Sequence, residues 1–214
     1  LGRDVTRCFS KLIVGTGSNN TYETMKNTER AAMLGADAAL VVAPYYVKPN
    51  VSGMVAHFEQ VARVGLPIIA YNIPARTGVD LSLGDYTNVY NLPGVVGVKE
   101  ASNNYETILN TLKIVKRNKE YMGLNFSVLS GNDDMNSFVL ANGGDGVVSV
   151  ISNILPGEVK RMVDTVLDSK KFNNFEFLGK ISKMSMIDGN PVSIKFMMQK
   201  LGLIDDVACR LQLG

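Results

Sequence analysis

Six short apolar runs recur along the chain, and the first four begin about 28 residues apart. Continuous apolar runs of this length are typical of strands that are buried on both faces of a parallel sheet. The sequence therefore predicts six strands, at residues 12–14, 39–42, 67–70, 95–98, 126–129 and 146–150.

Amphipathic stretches lie between these runs, and three more follow the last one. The predicted helices are residues 20–34, 53–64, 83–90, 105–117, 135–141, 156–169, 174–186 and 191–200. Thr21 is a candidate N-cap for the first of them. Strand and helix alternate at close to the roughly 31 residues per unit of an eight-fold barrel of about 250 residues, which predicts an α/β fold of the (β/α)8 TIM barrel class. A doubly wound open sheet is the second interpretation.

The 214 residues, 46% of them hydrophobic, suit one structural unit better than two. Within it we distinguish a partial barrel, residues 1–155, from a C-terminal barrel helix and helical appendix, residues 156–214.

Composition excludes several classes of function. A net charge of +2, from 22 basic and 20 acidic residues, gives no reason to expect nucleic acid or an anionic membrane as partner. Apolar stretches stay below the roughly 18 residues of a membrane span. Cys8 and Cys209 form neither a disulfide framework nor a metal cluster, which indicates a reducing, cytoplasmic compartment. His57 is the single histidine, so it argues against a multi-histidine metal site and is interpreted as structural.

Candidate catalytic residues follow the apolar runs, because the carboxyl ends of barrel strands form the working face. Lys99 ends one run, and Tyr71 follows the previous run, 28 residues earlier. A repeating strand–helix unit places these two side chains next to each other. The neutral amine of a partly buried lysine attacks carbonyl carbons, so the pair predicts imine chemistry. Arg76, in the turn after Tyr71, could bind a substrate carboxylate with its planar fork.

Two other motifs are weak. The segment Gly15-Thr16-Gly17 lacks the third glycine of a dinucleotide fingerprint, so we expect no nucleotide cofactor. Asp133 and Asp134 have no further ligand at metal-binding spacing, so we expect no metal and assign them to a turn or helix cap.

Five segments of the sequence carry a family resemblance. They are Gly15-Thr16-Gly17-Ser18-Asn19, Pro44-Tyr45-Tyr46, Tyr71-Asn72-Ile73-Pro74-Ala75-Arg76-Thr77-Gly78, Gly97-Val98-Lys99-Glu100 and Leu129-Ser130-Gly131-Asn132-Asp133. Taken together, they resemble the dihydrodipicolinate synthase family of pyruvate-dependent aldolases, and the resemblance covers nearly the whole chain. N-acetylneuraminate lyases share the Tyr-Asn-Ile-Pro element and the lysine, but the arginine after that element points to the synthases.

The resemblance implies a Schiff base between Lys99 and pyruvate, followed by attack of the enamine on aspartate semialdehyde. No cofactor beyond this covalent imine is implied. By the same resemblance Tyr71 is the proton shuttle, Tyr46 belongs to a relay that reaches it from a neighbouring subunit, and Arg76 holds the semialdehyde carboxylate. Gly131 and Val148 correspond to residues that line the pocket of the lysine.

The resemblance also implies a homotetramer built as a dimer of dimers, and a candidate inhibitory site for lysine at a subunit interface. The residues here that match that site are Asn19, Glu23 and Tyr45.

The chain also departs from the family pattern. The family has two more strands before Gly15, and the second of them carries a Thr-Thr-Gly-Glu motif that this sequence lacks. We therefore expect either a chain that omits part of the protein or a truncated relative. Two further hypotheses remain open: a related aldolase acting on a 2-keto-3-deoxy sugar acid or on N-acetylneuraminate, and a non-catalytic relative.

Overall fold

The computed structural model describes residues 10–82, 84–123, 125–169 and 175–211. Its contacts separate two compact units, the first ending at Val128 and the second beginning at Leu129. The sequence-based division at residue 155 stays a prediction. Three residues that the sequence analysis used, Cys8, Leu83 and Asn174, lie outside the described residues.

The first unit alternates strands and helices. Its strands are β1 Ile13–Gly15, β2 Ala38–Val42, β3 Ile68–Asn72 and β4 Val95–Glu100. Its helices are α1 Thr21–Met33, α2 Val51–Ala62, α3 Pro74–Thr77 and α4 Tyr105–Met122, with a 3₁₀ helix at Gly84–Asn91. The strand β5, Ser127–Ser130, begins at the end of this unit.

The second unit is mostly helical. After β5 come α5 Asn136–Ala141, β6 Gly146–Val147, a 3₁₀ helix at Ile151–Asn153, α6 Pro156–Ser169, α7 Glu176–Met184 and α8 Val192–Lys200. Strands β5 and β6 pair in parallel. The apolar core of this unit is formed by Leu140, Ile151, Val159, Met162, Val166 and Leu178.

In the first unit each strand lies beside its neighbour in the chain. The pairs β1–β2, β2–β3 and β3–β4 are all parallel. A doubly wound sheet reverses its strand order at a switch point, whereas a barrel adds strands in chain order. The observed order therefore confirms the α/β barrel class and makes the second interpretation wrong.

The apolar runs located the strands to within about two residues, apart from β6, which ends at Val147 and not at residue 150. Thr21 as N-cap is wrong. Asn20 occupies that position, and its side-chain oxygen accepts the Glu23 amide N–H at 3.1 Å, while Thr21 is the first helical residue. Both residue types cap helices, but Asn is preferred over Thr at this position, so Asn20 was the better candidate.

His57 is structural, as the sequence analysis expected. Its side chain is 4% exposed, and Nδ1 lies 2.9 Å from the Thr21 hydroxyl, which joins α2 to α1. Burial lowers the pKa of His57 from 6.5 to about 4. The imidazole is therefore neutral in the folded protein at neutral pH.

Gly97 allows β4 to approach the start of β5 closely. A Cβ added at Gly97 would lie 2.8 Å from the Ser127 carbonyl oxygen, which belongs to rigid backbone. A Cβ added at Gly15, also in a strand, would meet no atom within 4 Å.

We predict that the folded state loses stability as the pH falls from about 6.5 to about 4. Between these values the unfolded chain binds a proton at His57 that the folded chain does not, so folding becomes less favourable, by about 3 kcal/mol at pH 4. Urea unfolding at several pH values should show this slope, and His57→Gln should flatten it. An equal slope in both proteins would contradict the assignment.

We further predict that Gly97→Ala lowers the free energy of unfolding by about 1–3 kcal/mol, because the new methyl group overlaps the Ser127 carbonyl oxygen. Gly15→Ala is the matched control and should leave stability nearly unchanged. Urea titration of both variants measures the difference, and equal stabilities would refute the close approach.

Candidate active site

Lys99 and Tyr71 stand side by side at the carboxyl ends of β4 and β3. They are Cα partners in the parallel ladder, and Lys99 Nζ lies 4.1 Å from the centroid of the Tyr71 ring. Both side chains are half-buried. The proximity predicted from the 28-residue spacing is therefore observed.

A bulge at Val96 sets this register. Ile68 pairs with Val95, but Ile69 pairs with Gly97, so Val96 is an extra residue in β4. If the pairing continued from Ile68–Val95 without this shift, the partner of Tyr71 would be Val98, the apolar residue before Lys99. Bulges near functional sites re-aim side chains in this way. A glycine inside an apolar strand was the sequence signal that could have revealed the bulge.

The phenol of Tyr71 remains protonated at neutral pH. Burial raises the pKa of Tyr71, and the positive charge of Arg76 acts in the opposite direction. A neutral phenol next to an amine can donate a hydrogen bond, and then its proton, to a developing oxyanion. This arrangement suits general acid–base work on a carbonyl substrate.

Arg76 lies in α3, a single turn that Gly78 ends in the left-handed conformation at φ 72°. The Thr77 hydroxyl lies 3.1 Å from the Ile73 carbonyl oxygen and 2.9 Å from the Val79 carbonyl oxygen, so its single proton is shared between them or donated to either, which stabilises the turn. The Arg76 side chain itself is exposed. It borders an open cavity of about 650 Å³, whose lining is Gly15, Gly17, Leu40, Val42, Tyr45, Tyr71, Ile73, Arg76 and Thr77.

The loop after β2 presents two tyrosines differently. Tyr45 is 41% exposed and borders the cavity, whereas Tyr46 is 87% exposed and has a left-handed backbone at φ 72°. A non-glycine residue in this conformation costs on the order of 1 kcal/mol. The first unit therefore does not bury Tyr46 against Tyr71, and its predicted role in a relay between subunits stays a prediction.

Two of the three predicted lysine-binding residues lie at the start of α1. Asn19 is half-buried just before that helix, and Glu23 is an exposed residue of its first turn, with Lys26 3.9 Å away. Their role, like that of Tyr45, stays a prediction.

Gly131 and Val148 follow strands β5 and β6. Gly131 comes directly after β5, and the Val148 amide donates to the Ser130 carbonyl at 2.7 Å. Both are half-buried. The structure thus places each of them at the carboxyl end of a strand, and their role at the lysine pocket stays a prediction.

Asp133 caps a helix, as the sequence analysis proposed. Its Oδ2 accepts the Val150 and Ile151 amide N–H groups at 2.9 and 3.0 Å, at the start of the 3₁₀ helix. In the described residues no group of three or more His, Cys, Asp and Glu side chains is arranged to hold a metal ion. Nor does any helix of the described ranges have the length and hydropathy needed to cross a membrane.

Sequence reasoning missed a buried polar cluster directly behind the lysine. Glu100 is 1% exposed, and its carboxylate accepts hydrogen bonds from Asn72, Ser102 and Thr111. Burial raises the pKa of Glu100, the three hydrogen bonds lower it, and the nearby carboxylate of Asp80 raises it again. The signal available in the sequence was the alternation of side chains: Asn72 and Glu100 follow Tyr71 and Lys99 by one residue and so face the other side of the sheet.

Residues 6–214 match the Dihydrodipicolinate synthetase family. A curated relative, 4-hydroxy-tetrahydrodipicolinate synthase of Wolinella succinogenes, is 39% identical over 210 residues, which are 95% of this chain and 68% of that protein.

Solved structures of the same family superpose on almost the whole chain. Dihydrodipicolinate synthase from Aquifex aeolicus has a TM-score of 0.87 at 35% identity, covering 99% of this chain and 71% of that one. The chloride-inhibited synthase from Acinetobacter baumannii, solved with pyruvate, also has a TM-score of 0.87 at 32% identity, covering 99% and 72%.

These matches span most of the chain and about two thirds of the length of the curated relatives. The TM-scores agree with the parallel strand order found above. The chain belongs to the dihydrodipicolinate synthetase family.

Proposed function

We infer that the chain is a Schiff-base lyase that condenses pyruvate with L-aspartate 4-semialdehyde to give 4-hydroxy-tetrahydrodipicolinate, on the route to lysine. The observation that supports this most directly is the Lys99 amine, 4.1 Å from the Tyr71 ring centroid at the ends of two parallel strands. The shared name of the curated relatives favours this product over the sugar-acid and N-acetylneuraminate alternatives.

The reaction begins with a neutral Lys99 amine. Its nitrogen attacks C2 of pyruvate, and the carbinolamine loses water to form an iminium ion. Loss of a C3 proton then gives an enamine, whose C3 attacks the aldehyde carbon of the semialdehyde. The amine of the semialdehyde finally attacks C2, which closes the ring and releases Lys99.

Tyr71 and Arg76 divide the remaining work. The protonated phenol of Tyr71 donates its proton to the departing oxygen and recovers one in a later step. Arg76 borders the same cavity and offers a planar fork to the carboxylate of the semialdehyde. Because this carboxylate is remote from the reacting carbon, Arg76 orients the second substrate without taking part in imine formation.

Three finer proposals accompany this function. The imine with Lys99 acts as the electron sink, so no further cofactor is assigned. In a homotetramer arranged as a dimer of dimers, Tyr46, which is 87% exposed in a single copy, would reach the site of a neighbouring copy. A cytoplasmic location is supported by the presence of only two cysteines, at opposite ends of the chain.

We predict that Lys99→Ala abolishes trapping of pyruvate. Incubation of the wild-type chain with pyruvate and borohydride should add a reduced pyruvyl group to Lys99, found by peptide mass mapping, because only an imine is reduced to a stable amine. Lys113→Ala, an exposed lysine of α4, is the control and should leave the adduct in place. Circular dichroism checks that both variants fold.

An adduct on Lys99 in the wild-type chain supports the imine mechanism. An adduct that persists in Lys99→Ala would show that another residue is the nucleophile. A folded wild-type chain that forms none would favour the non-catalytic alternative.

We predict that Arg76→Ala raises the KM for the semialdehyde at least about tenfold, while the rate of pyruvate trapping changes less than about twofold. Steady-state kinetics and borohydride trapping measure the two effects separately. Arg63→Ala removes an exposed arginine that pairs with Glu59 in α2, and it should change neither quantity. A parallel loss of trapping in Arg76→Ala would place Arg76 in the pyruvate site instead.

A further inference from the structure

The last residues of β3 and β4 are joined by a buried amide–carboxylate pair. Asn72 and Glu100 are Cα partners, one residue beyond the Tyr71–Lys99 pair. The Asn72 side-chain NH₂ lies 3.0 and 3.2 Å from the two oxygens of Glu100. A backbone hydrogen bond from the Ala101 amide to the Asn72 carbonyl, 2.9 Å long, closes the ladder at the same point.

Every polar atom of the Asn72 side chain is used. One side of its NH₂ group reaches Glu100, the other donates to Asp80 Oδ1 at 3.0 Å, and its Oδ1 accepts the Leu81 amide N–H at 3.0 Å. Asn72 is fully buried. This geometry allows a single orientation of the amide, so the end of β3 is tied both to β4 and to the segment that follows α3.

Glu100 is held just as completely. Its Oε1 also accepts the Ser102 amide N–H at 2.8 Å, and Oε2 also accepts the Thr111 hydroxyl of α4 at 3.0 Å. Each of these described partners is a neutral donor. A buried carboxylate is costly, and removing one of its hydrogen bonds is strongly unfavourable, so the end of β4 has little freedom to move.

Asp80 extends the cluster to α4. Its Oδ1 accepts the Ser82 amide N–H at 3.0 Å and the Ser82 hydroxyl at 2.7 Å, and its Oδ2 accepts the Thr107 hydroxyl at 3.0 Å. The cluster thus joins two strand ends, the following segment and one helix on the face of the sheet opposite Lys99.

We propose that the Asn72–Glu100 pair positions the catalytic lysine, by clamping the ends of β3 and β4 in the register that places Lys99 Nζ over the Tyr71 ring. Strand ends are where ladders fray, and displacements of about 1 Å cost up to about 100-fold in rate. Glu100 and Asn72 are positioning residues, since they act on the opposite face from the amine. The kinetic part of this role rests on the proposed function, whereas the geometric part does not.

Glu100→Gln tests the clamp. The glutamine NH₂ group has to face either the Asn72 NH₂ group or the Ser102 amide, both of them donors, so the pair can no longer close fully. The matched control is Asn118→Leu. Asn118 is a buried residue of α4, 5% exposed, whose Nδ2 donates to Asn91 Oδ1 at 2.7 Å near the amino end of β4. The Asn118→Leu substitution removes a buried amide hydrogen bond in the same unit, away from the carboxyl ends of β3 and β4.

Two readouts separate positioning from general stability. The first is the rate of pyruvate trapping per folded molecule, measured well below the unfolding temperature of each variant. The second is the NMR chemical shift of the Lys99 ε-methylene protons, whose signal is assigned by its absence in Lys99→Ala. The resonance of a methylene group near the face of an aromatic ring is displaced upfield. This shift reports the lysine–tyrosine geometry without any substrate.

We expect Glu100→Gln to lower the trapping rate at least about tenfold and to lose the upfield displacement, whereas Asn118→Leu keeps both within about twofold even where its stability falls equally. If Glu100→Gln does not fold, Thr111→Val removes one donor from the carboxylate and should lower the trapping rate about threefold with a partial loss of the shift.

Wild-type trapping rate and wild-type shift in Glu100→Gln, or in Thr111→Val where that variant has to be used, would overturn the proposal. A wild-type chain that shows the upfield shift but no adduct would overturn the imine function and the kinetic role together. Loss of that shift in Glu100→Gln would still support the clamp as a geometric device.

Discussion

The parallel pairing of β3 with β4 determines the candidate site, because it decides which side chains stand together at the carboxyl ends of these strands. The bulge at Val96 shifts that pairing by one residue, and Tyr71 consequently lies opposite Lys99. Side chains in a strand alternate between the two faces, so a slip of one residue would turn the lysine away from the tyrosine. Gly97, beside the bulge, permits the close approach of Ser127 that this path of β4 requires.

Behind the site, the polar cluster around Glu100 is buried, so it is stable only when all its hydrogen bonds are formed. A carboxylate that is 1% exposed is tolerated because its acceptor positions are filled by Asn72, Ser102 and Thr111. Removing one donor leaves an unpaired acceptor in a low-dielectric interior, which costs more than the hydrogen bond itself contributes on average. The two faces of the sheet therefore have separate tasks: the inner face presents the amine, and the face toward α4 restrains the backbone that carries it.

Much of the fold was predictable from local pattern. Strands buried on both faces are read from continuous apolar runs, and the order of β1 to β4 follows from their spacing. The errors were local. The N-cap of α1 is Asn20 and not Thr21, and both residue types can accept a hydrogen bond from the first amide groups of a helix. Strand β6 ends at Val147, before the apolar run ends, because a strand is defined by its pairing and not by its hydrophobicity.

The sequence by itself determined the α/β class, the order of the elements and the neighbourhood of Lys99 and Tyr71, because repeat length and apolar periodicity are properties of the chain alone. Only the tertiary structure decided the register at Val96, the outward path of Tyr46 and the partners of Glu100. The register and the partners of Glu100 depend on hydrogen bonds between residues as far as 28 positions apart, such as Asn72 to Glu100. No local pattern encodes such pairings, since they form only when helices and strands pack and water is excluded.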